Sequence, residues 1–234
     1  MPDYKDVYAH QAERYEVLVS HEDHEHQLAR ALHGLEPRLR EPGALDVAET
    51  GAGTGRLTRL VAEHARRVHA FDASAAMLAV ARRAFSAAPH VSLGVAPHEA
   101  LPLEDASVDL ALEGWAFGHA LSWNPGGWQD ELRRWVAELA RVVRPGGTLI
   151  LIETQGTGVE TPFFGGHSLE PFHAFVTGEL GFSHQAIRTD YAFATIDEAA
   201  DTLGFFFGER MADAVRAHRW TVVPECTGVY ARRR

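Results

Sequence analysis

The chain has 234 residues, 46% of them hydrophobic and 23% charged, a globular composition with enough length for one large core. It carries 32 acidic residues against 22 basic ones, a formal net charge of -10, and its longest basic cluster is the terminal run Arg232 to Arg234. Phosphate binding needs a concentrated positive surface, so no nucleic-acid partner is expected. The single cysteine, Cys226, excludes an internal disulfide framework. The polar start MPDYKDVYAHQ has no secretory apolar core, so the expected compartment is cytoplasmic. Apolar runs such as LILI at 149–152 fall far short of the roughly 18 to 20 residues of a membrane span.

Residues 1–39 read as amphipathic helix. Between 44 and 154, short β-type runs bounded by Gly, Pro or Asp alternate with helical periodicity, which predicts an α/β fold with a parallel sheet and crossover helices. Strands are predicted at 44–50, 67–72, 90–95, 108–114 and 147–153. Leu57, Leu60, Val61 and Ala65 mark the first helix face, and Met77, Leu78, Ala81 and Phe85 that of a helix from Ser74 to Phe85. A third helix carries Trp128, Leu132, Trp135, Val136, Leu139, Val142 and Val143 at spacings of three and four before Pro145-Gly146-Gly147. A Gly-, Phe- and His-rich connection at 155–183 leads into a helix, and a strand at 184–194, helical residues 196–218 and a strand near 220–231 follow.

The strongest local signal is Glu49-Thr50-Gly51-Ala52-Gly53-Thr54-Gly55-Arg56-Leu57, a Gly-rich turn between the first strand and its helix. Glycines at alternate positions let a backbone pass close to a ligand. A dinucleotide fingerprint would need a third glycine where Arg56 stands. Glu49, just before the turn, would repel a pyrophosphate and attract an ammonium group, which favours a cationic ligand bearing an amino acid. Asp72 closes the strand VHAFD, where an acid can accept both hydrogen bonds of a ribose diol or cap the following helix.

ETGAGTGRL, AFDASAAML, EALPLEDASVDLAL and RVVRPGGTLILIE, in this order, resemble the motifs of class I S-adenosylmethionine-dependent methyltransferases of the small-molecule group. The resemblance implies a Rossmann-like fold: a seven-stranded, mostly parallel sheet with an antiparallel last strand and helices on both faces. It also implies one domain over 1–234, divided into an amino-terminal helical lid (1–39), a cofactor-binding core (40–154), a cap connection (155–183) and closing strands and helices (184–234). Carried over by position, Gly51, Gly53 and Gly55 would line the methionine portion of S-adenosylmethionine, or of its product S-adenosylhomocysteine. Glu49 would lie near the amino group, Asp72 and Ala73 at the ribose and Met77 beside the adenine. The family often has an acid where Pro97 stands, so adenine recognition is expected to shift to the carbonyl of Pro97, to His98 or to Glu99. Tyr8 and Tyr15 are candidates for the segment that closes over the cofactor.

The fourth strand ends in Glu113-Gly114-Trp115-Ala116-Phe117-Gly118-His119, at the sheet edge where open α/β proteins bind ligands. The resemblance places the methyl-transfer centre here, beside Glu113. Trp115 and Phe117 are expected to wall the acceptor pocket, and His119 to take a proton from the nucleophile. Phe163, Phe164, Phe172 and Phe175 suggest an apolar or aromatic small acceptor, or a sealed cap. HEDHEH at 21–26 is read as a solvated helix face, with no metal expected. Two other readings remain at this point, a cofactor-binding protein without transfer activity and a nicotinamide-dependent oxidoreductase. The acceptor's identity is not legible, and the oligomeric state is left open, with a homodimer compatible.

Overall fold

The computed structural model describes residues 4–163 and 169–234. Phe164, Gly165, Gly166 and His167 lie outside the described residues. Three helices come first, α1 (Tyr4–His10), α2 (Ala12–Ser20) and α3 (Gln27–Leu35), and a 3-10 turn at Pro37–Arg40 leads to the sheet. The core is β1 (Leu45–Thr50), α4 (Arg56–Ala62), β2 (Ala65–Asp72), α5 (Ala75–Ala84), β3 (Val91–Val95) and β4 (Val108–Gly114). It continues through a 3-10 turn at Phe117–His119 to α6 (Ala120–Trp123), α7 (Trp128–Val142) and β5 (Val143–Thr157). After it come α8 (Glu170–Gly178), β6 (Ser183–Arg188), β7 (Tyr191–Ala192), α9 (Ile196–Phe207), α10 (Glu209–His218), β8 (Val222–Val223) and β9 (Glu225–Arg233).

Seven strands form the main sheet in the order β3-β2-β1-β4-β5-β9-β6, and β9 runs antiparallel to both neighbours. The other pairings among β1 to β5 are parallel. Both faces are covered, which explains why the central strands bury successive residues instead of alternating buried with exposed ones, β1 being buried along its whole length. Along β5, Leu149 and Leu151 enter one core cluster, while Ile150 and Ile152 enter the cluster on the opposite face. Leu132, Trp135, Val136, Leu139 and Val142 of α7 are buried in the first cluster, the one-sided stripe that its periodicity predicted. The chain turns back between β1 and β4, so their carboxyl ends flank a crevice where open sheets bind ligands.

Four expectations are corrected. Residues 1–39 hold three helices, broken at Gln11 and again between α2 and α3, where Asp23 and His26 adopt left-handed backbone (φ 59° and 58°). HEDHEH is therefore a turn and not a helix face. Its Asp23 carboxylate caps α3 by accepting from the N–H groups of Gln27 (2.7 Å) and Leu28 (3.0 Å). Segment 155–183 contributes to the core more than to a cap, since Phe172, Phe175 and Val176 of α8 pack into the α7-side cluster. The late strands each divide, and β7 pairs with β8 in a separate two-stranded sheet. Residues 196–218 break at Gly208 (φ 89°) into α9 and α10, which pack with Leu18 of α2 and with Tyr191.

Candidate functional site

Two cavities open at the crevice. The first, of about 510 Å³, is bordered by Gly51 and Gly53 of the first turn, Asp72, Ala73 and Met77 after β2, and His98. The second, of about 440 Å³, lies between α1, α2 and α9, with Phe206 on one side and Glu153 on the other. Tyr8, Tyr15, Trp115 and His119 border both.

The Gly-rich turn is shaped for backbone approach. Gly51 has φ 68°, and a Cβ there would come within 2.6 Å of the Ala116 Cβ, so a side chain would both strain the backbone and block the crevice. Gly55 faces away from the cavity, where a Cβ would lie 2.6 Å from the Phe85 ring, so its role is packing of α4 against α5. Asp72 accepts from Gly53 N–H at 2.8 Å and Ser74 N–H at 2.6 Å, which holds its carboxylate at the cavity wall. Burial raises its pKa, and the two N–H groups oppose that rise. Ser74, not Asp72, caps α5 by accepting from Met77 N–H, and its own hydroxyl donates to the Tyr8 carbonyl at 2.8 Å.

Of the three residues expected to read adenine, only His98 borders the cavity. Burial pushes its imidazole down to about 4, so it is neutral at physiological pH, and Nδ1 lies 2.7 Å from the Thr50 hydroxyl. Pro97 does not line the cavity, and Glu99 is half-buried at most on its own loop. Glu49 is also displaced from its expected place. It is 1% exposed and lies behind the cavity wall, accepting from the Thr58 hydroxyl at 2.5 Å, with burial pushing its carboxyl up to about 8.

Glu113 is a buttress beneath the site. Its Oε1 accepts from the N–H groups of Ala116 (2.8 Å) and Phe117 (2.9 Å), and its carboxyl is raised by burial and by Glu153. This tie turns Phe117 inward, fully buried against Trp135 at 5.0 Å between ring centres, so Phe117 does not wall the acceptor pocket. Trp115 between them has φ 54°, a strained backbone for a bulky residue. Its N–H donates to Ile152 at 2.8 Å and its ring lies 3.6 Å under the Arg56 guanidinium. Phe163 is 59% exposed, and Leu169 alone among the described residues of 155–183 borders the second cavity. His119 reaches both cavities, stacked on Trp123 at 4.6 Å, and burial lowers its imidazole to about 4.

Several lining residues of the second cavity escaped the sequence reading, among them Tyr4, Tyr191, Phe206, Glu153 and Glu225. Glu153 closes the last motif quoted above and was legible as a sheet-edge acid; the others come from segments without a motif. Arg56 was legible only as a missing glycine. It is a buried cation, paired with Glu22 at 2.7 Å, and it fills the place where a nicotinamide fingerprint would need close helix packing. Among the described residues, no group of three His, Cys, Asp or Glu side chains is placed to hold a metal, and no helix is long and apolar enough to cross a membrane.

Comparisons with known proteins agree with this geometry. A family described as "Methyltransferase domain" matches residues 48–151. The "Probable S-adenosylmethionine-dependent methyltransferase" of Mycolicibacterium smegmatis is 32% identical over 182 residues, 76% of this chain and 62% of that protein. A malonyl-[acyl-carrier protein] O-methyltransferase of Pectobacterium atrosepticum is 36% identical over 105 residues, 45% of this chain and 37% of that protein. The chain thus spans less than two thirds of the length of these curated relatives. In fold, a SAM dependent methyltransferase from Aquifex aeolicus superposes with a TM-score of 0.52 at 16% identity, covering 98% of this chain and 93% of that one. With four motifs in order, the strand order of the sheet and the match across its cofactor core, the chain carries a class I S-adenosylmethionine-dependent methyltransferase domain.

Proposed function

We propose that the chain transfers a methyl group from S-adenosylmethionine to a small acceptor, with the cofactor in the first cavity and the acceptor in the second. The observation that carries this reading is the meeting of the two cavities at Tyr8, Tyr15, Trp115 and His119, above the carboxyl ends of β1 and β4. The residues present fit the cofactor. Gly51 keeps the crevice open to it, Asp72 offers its carboxylate to the ribose diol, Met77 flanks the base, and His98 is the polar group beside it. When bound, S-adenosylmethionine supplies an electrophilic methyl on a sulfonium, a leaving group that needs no protonation, for in-line displacement.

The protein's part is alignment and exclusion of water, effects worth about 7 to 11 kcal/mol when geometry is well fixed. Trp115, held by its backbone and by Arg56, forms the stiff partition along which the acceptor is aligned. His119 is neutral at physiological pH, so it receives a hydrogen bond from the nucleophile and takes its proton as bond formation makes that proton acidic. Helices α1 and α2 serve as the lid. They are fastened by the Ser74 hydroxyl on Tyr8, by an ion pair of Glu13 with Arg83 and by another of Glu16 with Arg59 at 2.6 Å. The exposed Glu13–Arg83 pair is weak enough to release, as a closing element must.

Incubation with methyl-labelled S-adenosylmethionine and a panel of small acceptors, with S-adenosylhomocysteine release as the readout, tests this reading. Transfer to at least one acceptor is expected. Tight S-adenosylhomocysteine binding without turnover across the panel would instead favour a cofactor-binding protein.

A further inference from the structure

The second cavity has a lining of two kinds. Tyr4, Phe206, Phe207 and Trp115 supply aromatic lining, and Glu22, Glu153, Glu225 and Arg56 supply charged lining, Arg56 lying over the Trp115 ring. Three carboxyls and one guanidinium line the cavity, and that guanidinium is engaged at Nη1, 2.7 Å from Glu22, with its plane over Trp115, while its Nη2 is buried without a hydrogen-bond partner. The hydrogen bonds of the other two acids come from neutral donors. Glu153 Oε1 accepts from Gly118 N–H at 2.5 Å, and Glu225 Oε1 from the Thr154 hydroxyl at 2.5 Å. The second oxygen of Glu225 is buried without a well-formed hydrogen bond, although the Thr157 hydroxyl also acts on this carboxyl. A buried acceptor left in this state is costly, and here it belongs to a residue on the wall of an open cavity.

We propose that the methyl acceptor is an amine on an apolar or aromatic body, its nitrogen read by Glu153 and Glu225 and its body by the aromatic lining. The proposal rests on the methyl-transfer reading above and names the acceptor class of that same cavity. An ammonium group brings three donors and the positive charge that these acids lack, and aromatic faces attract cations. A carboxylate acceptor could meet Arg56 Nη2, which is buried without a hydrogen-bond partner, but only beside Glu22, Glu153 and Glu225, three acids against one cation. A neutral alcohol would satisfy one oxygen without supplying charge.

The electrostatics around the pair sharpen the expectation. Burial pushes both carboxyls up to about 8. Glu22 and Arg56 act on Glu225 with opposite signs, Tyr191 donates to Glu22, Glu113 lies behind Glu153, and the neutral His119 stands at the mouth. Near neutral pH Glu153 and Glu225 are therefore protonated, and an entering ammonium ionises them, so binding releases protons to solvent. Before attack, one ammonium proton passes to one of these carboxylates, which for an amine acceptor takes the part that His119 would play for a hydroxyl nucleophile. The amine nitrogen then forms the new N–C bond as the C–S bond breaks, the electron pair of that bond remaining on sulfur, and a methylammonium product results.

The test is calorimetric titration of the protein saturated with S-adenosylhomocysteine, which reads binding without turnover. The probes are benzylamine, phenethylamine and tryptamine, the matching alcohols, and hydrocinnamate as the anion, in phosphate and in Tris near neutral pH. At least one amine is expected to bind about tenfold or more tightly than its alcohol, with a buffer-dependent heat that reports proton release. Glu225→Gln and Glu153→Gln should each erase most of that preference while leaving S-adenosylhomocysteine affinity and the circular dichroism spectrum unchanged; either variant suffices if the other does not fold. An alcohol or hydrocinnamate binding as tightly as the amines would overturn the proposal, as would amines that fail to bind a protein still able to bind S-adenosylhomocysteine. Failure of S-adenosylhomocysteine itself to bind would strike the methyltransferase reading and this proposal with it.

Discussion

The hydroxyl of Tyr8 and Nε2 of His119 lie 2.9 Å apart, and both side chains border the two cavities. The imidazole nitrogen proposed to meet the nucleophile is thus occupied by a residue of the amino-terminal helix. Tyr8→Phe removes one hydrogen bond and keeps the ring packing, so a fall in kcat of about three- to tenfold is expected, with S-adenosylhomocysteine affinity changed by less than about twofold. Initial rates and an equilibrium titration on the same protein check this, and an unchanged kcat would leave Tyr8 as a wall only.

Cofactor affinity should separate the neighbours of the first cavity. Asp72→Ala loses the charge-assisted bond to the diol and frees Gly53 N–H and Ser74 N–H, so binding of S-adenosylhomocysteine should weaken by about 10- to 100-fold. His98→Ala is expected to cost several-fold and Glu99→Ala nothing, because only the former borders the cavity. Equal losses for the two would return adenine recognition to the loop as a whole.

Much of this site was legible because its carriers are local. The strand limits at 108–114, the α7 stripe and the Gly-rich turn each express a periodicity within one element. The destination of aromatic residues was not. Phe172 and Phe175 look like Phe206 and Phe207 in sequence, yet the first pair enters the core and the second borders the acceptor. Which outcome holds depends on where each helix docks, a tertiary property. Glu153 and Glu225 are brought to one cavity by the antiparallel pairing of β5 with β9, and no local pattern announces a contact of that range. The break at Asp23 likewise needs a side chain folding back onto a helix not yet begun.

Lid behaviour has a direct readout in hydrogen exchange. Adding saturating S-adenosylhomocysteine should slow exchange in Tyr4–Ser20, whose helices are held by few bonds, while β5 from Leu149 to Glu153 stays protected throughout. Helix α8 should not respond, since its phenylalanines are already in the core. Identical exchange of α1 and α2 with and without ligand would make them fixed walls.

The buried acids also set a pH dependence for the ligand-free protein. Glu49, Glu153 and Glu225 are raised from 4.5 to about 8 by burial, so between these values the folded chain holds protons that the unfolded chain has released. Stability therefore declines as pH rises through this window. His98 and His119, lowered from 6.5 to about 4, act oppositely, their contribution being lost as pH falls below 6.5. Above 6.5 only the acids count, and Tm should drop from there to about pH 8. In Glu153→Gln and Glu225→Gln together the decline should flatten, as followed by thermal melts across that range.

The sharing of side chains between the two cavities divides the protein into a half free to change and a half that is not. Tyr8 is bonded through its carbonyl to Ser74, which caps the helix beside the cofactor turn, and Trp115 owes its position to its own strained backbone. Altering either disturbs both reactants at once. Phe206 and Phe207 border the acceptor cavity alone, from a helix joined to the main sheet only through β7 and β8. Redesign of acceptor range, by laboratory selection or by descent, accordingly has its open ground at Phe207, which packs on Tyr191, whereas Phe206 leans on Tyr8 and Tyr15 of the shared wall.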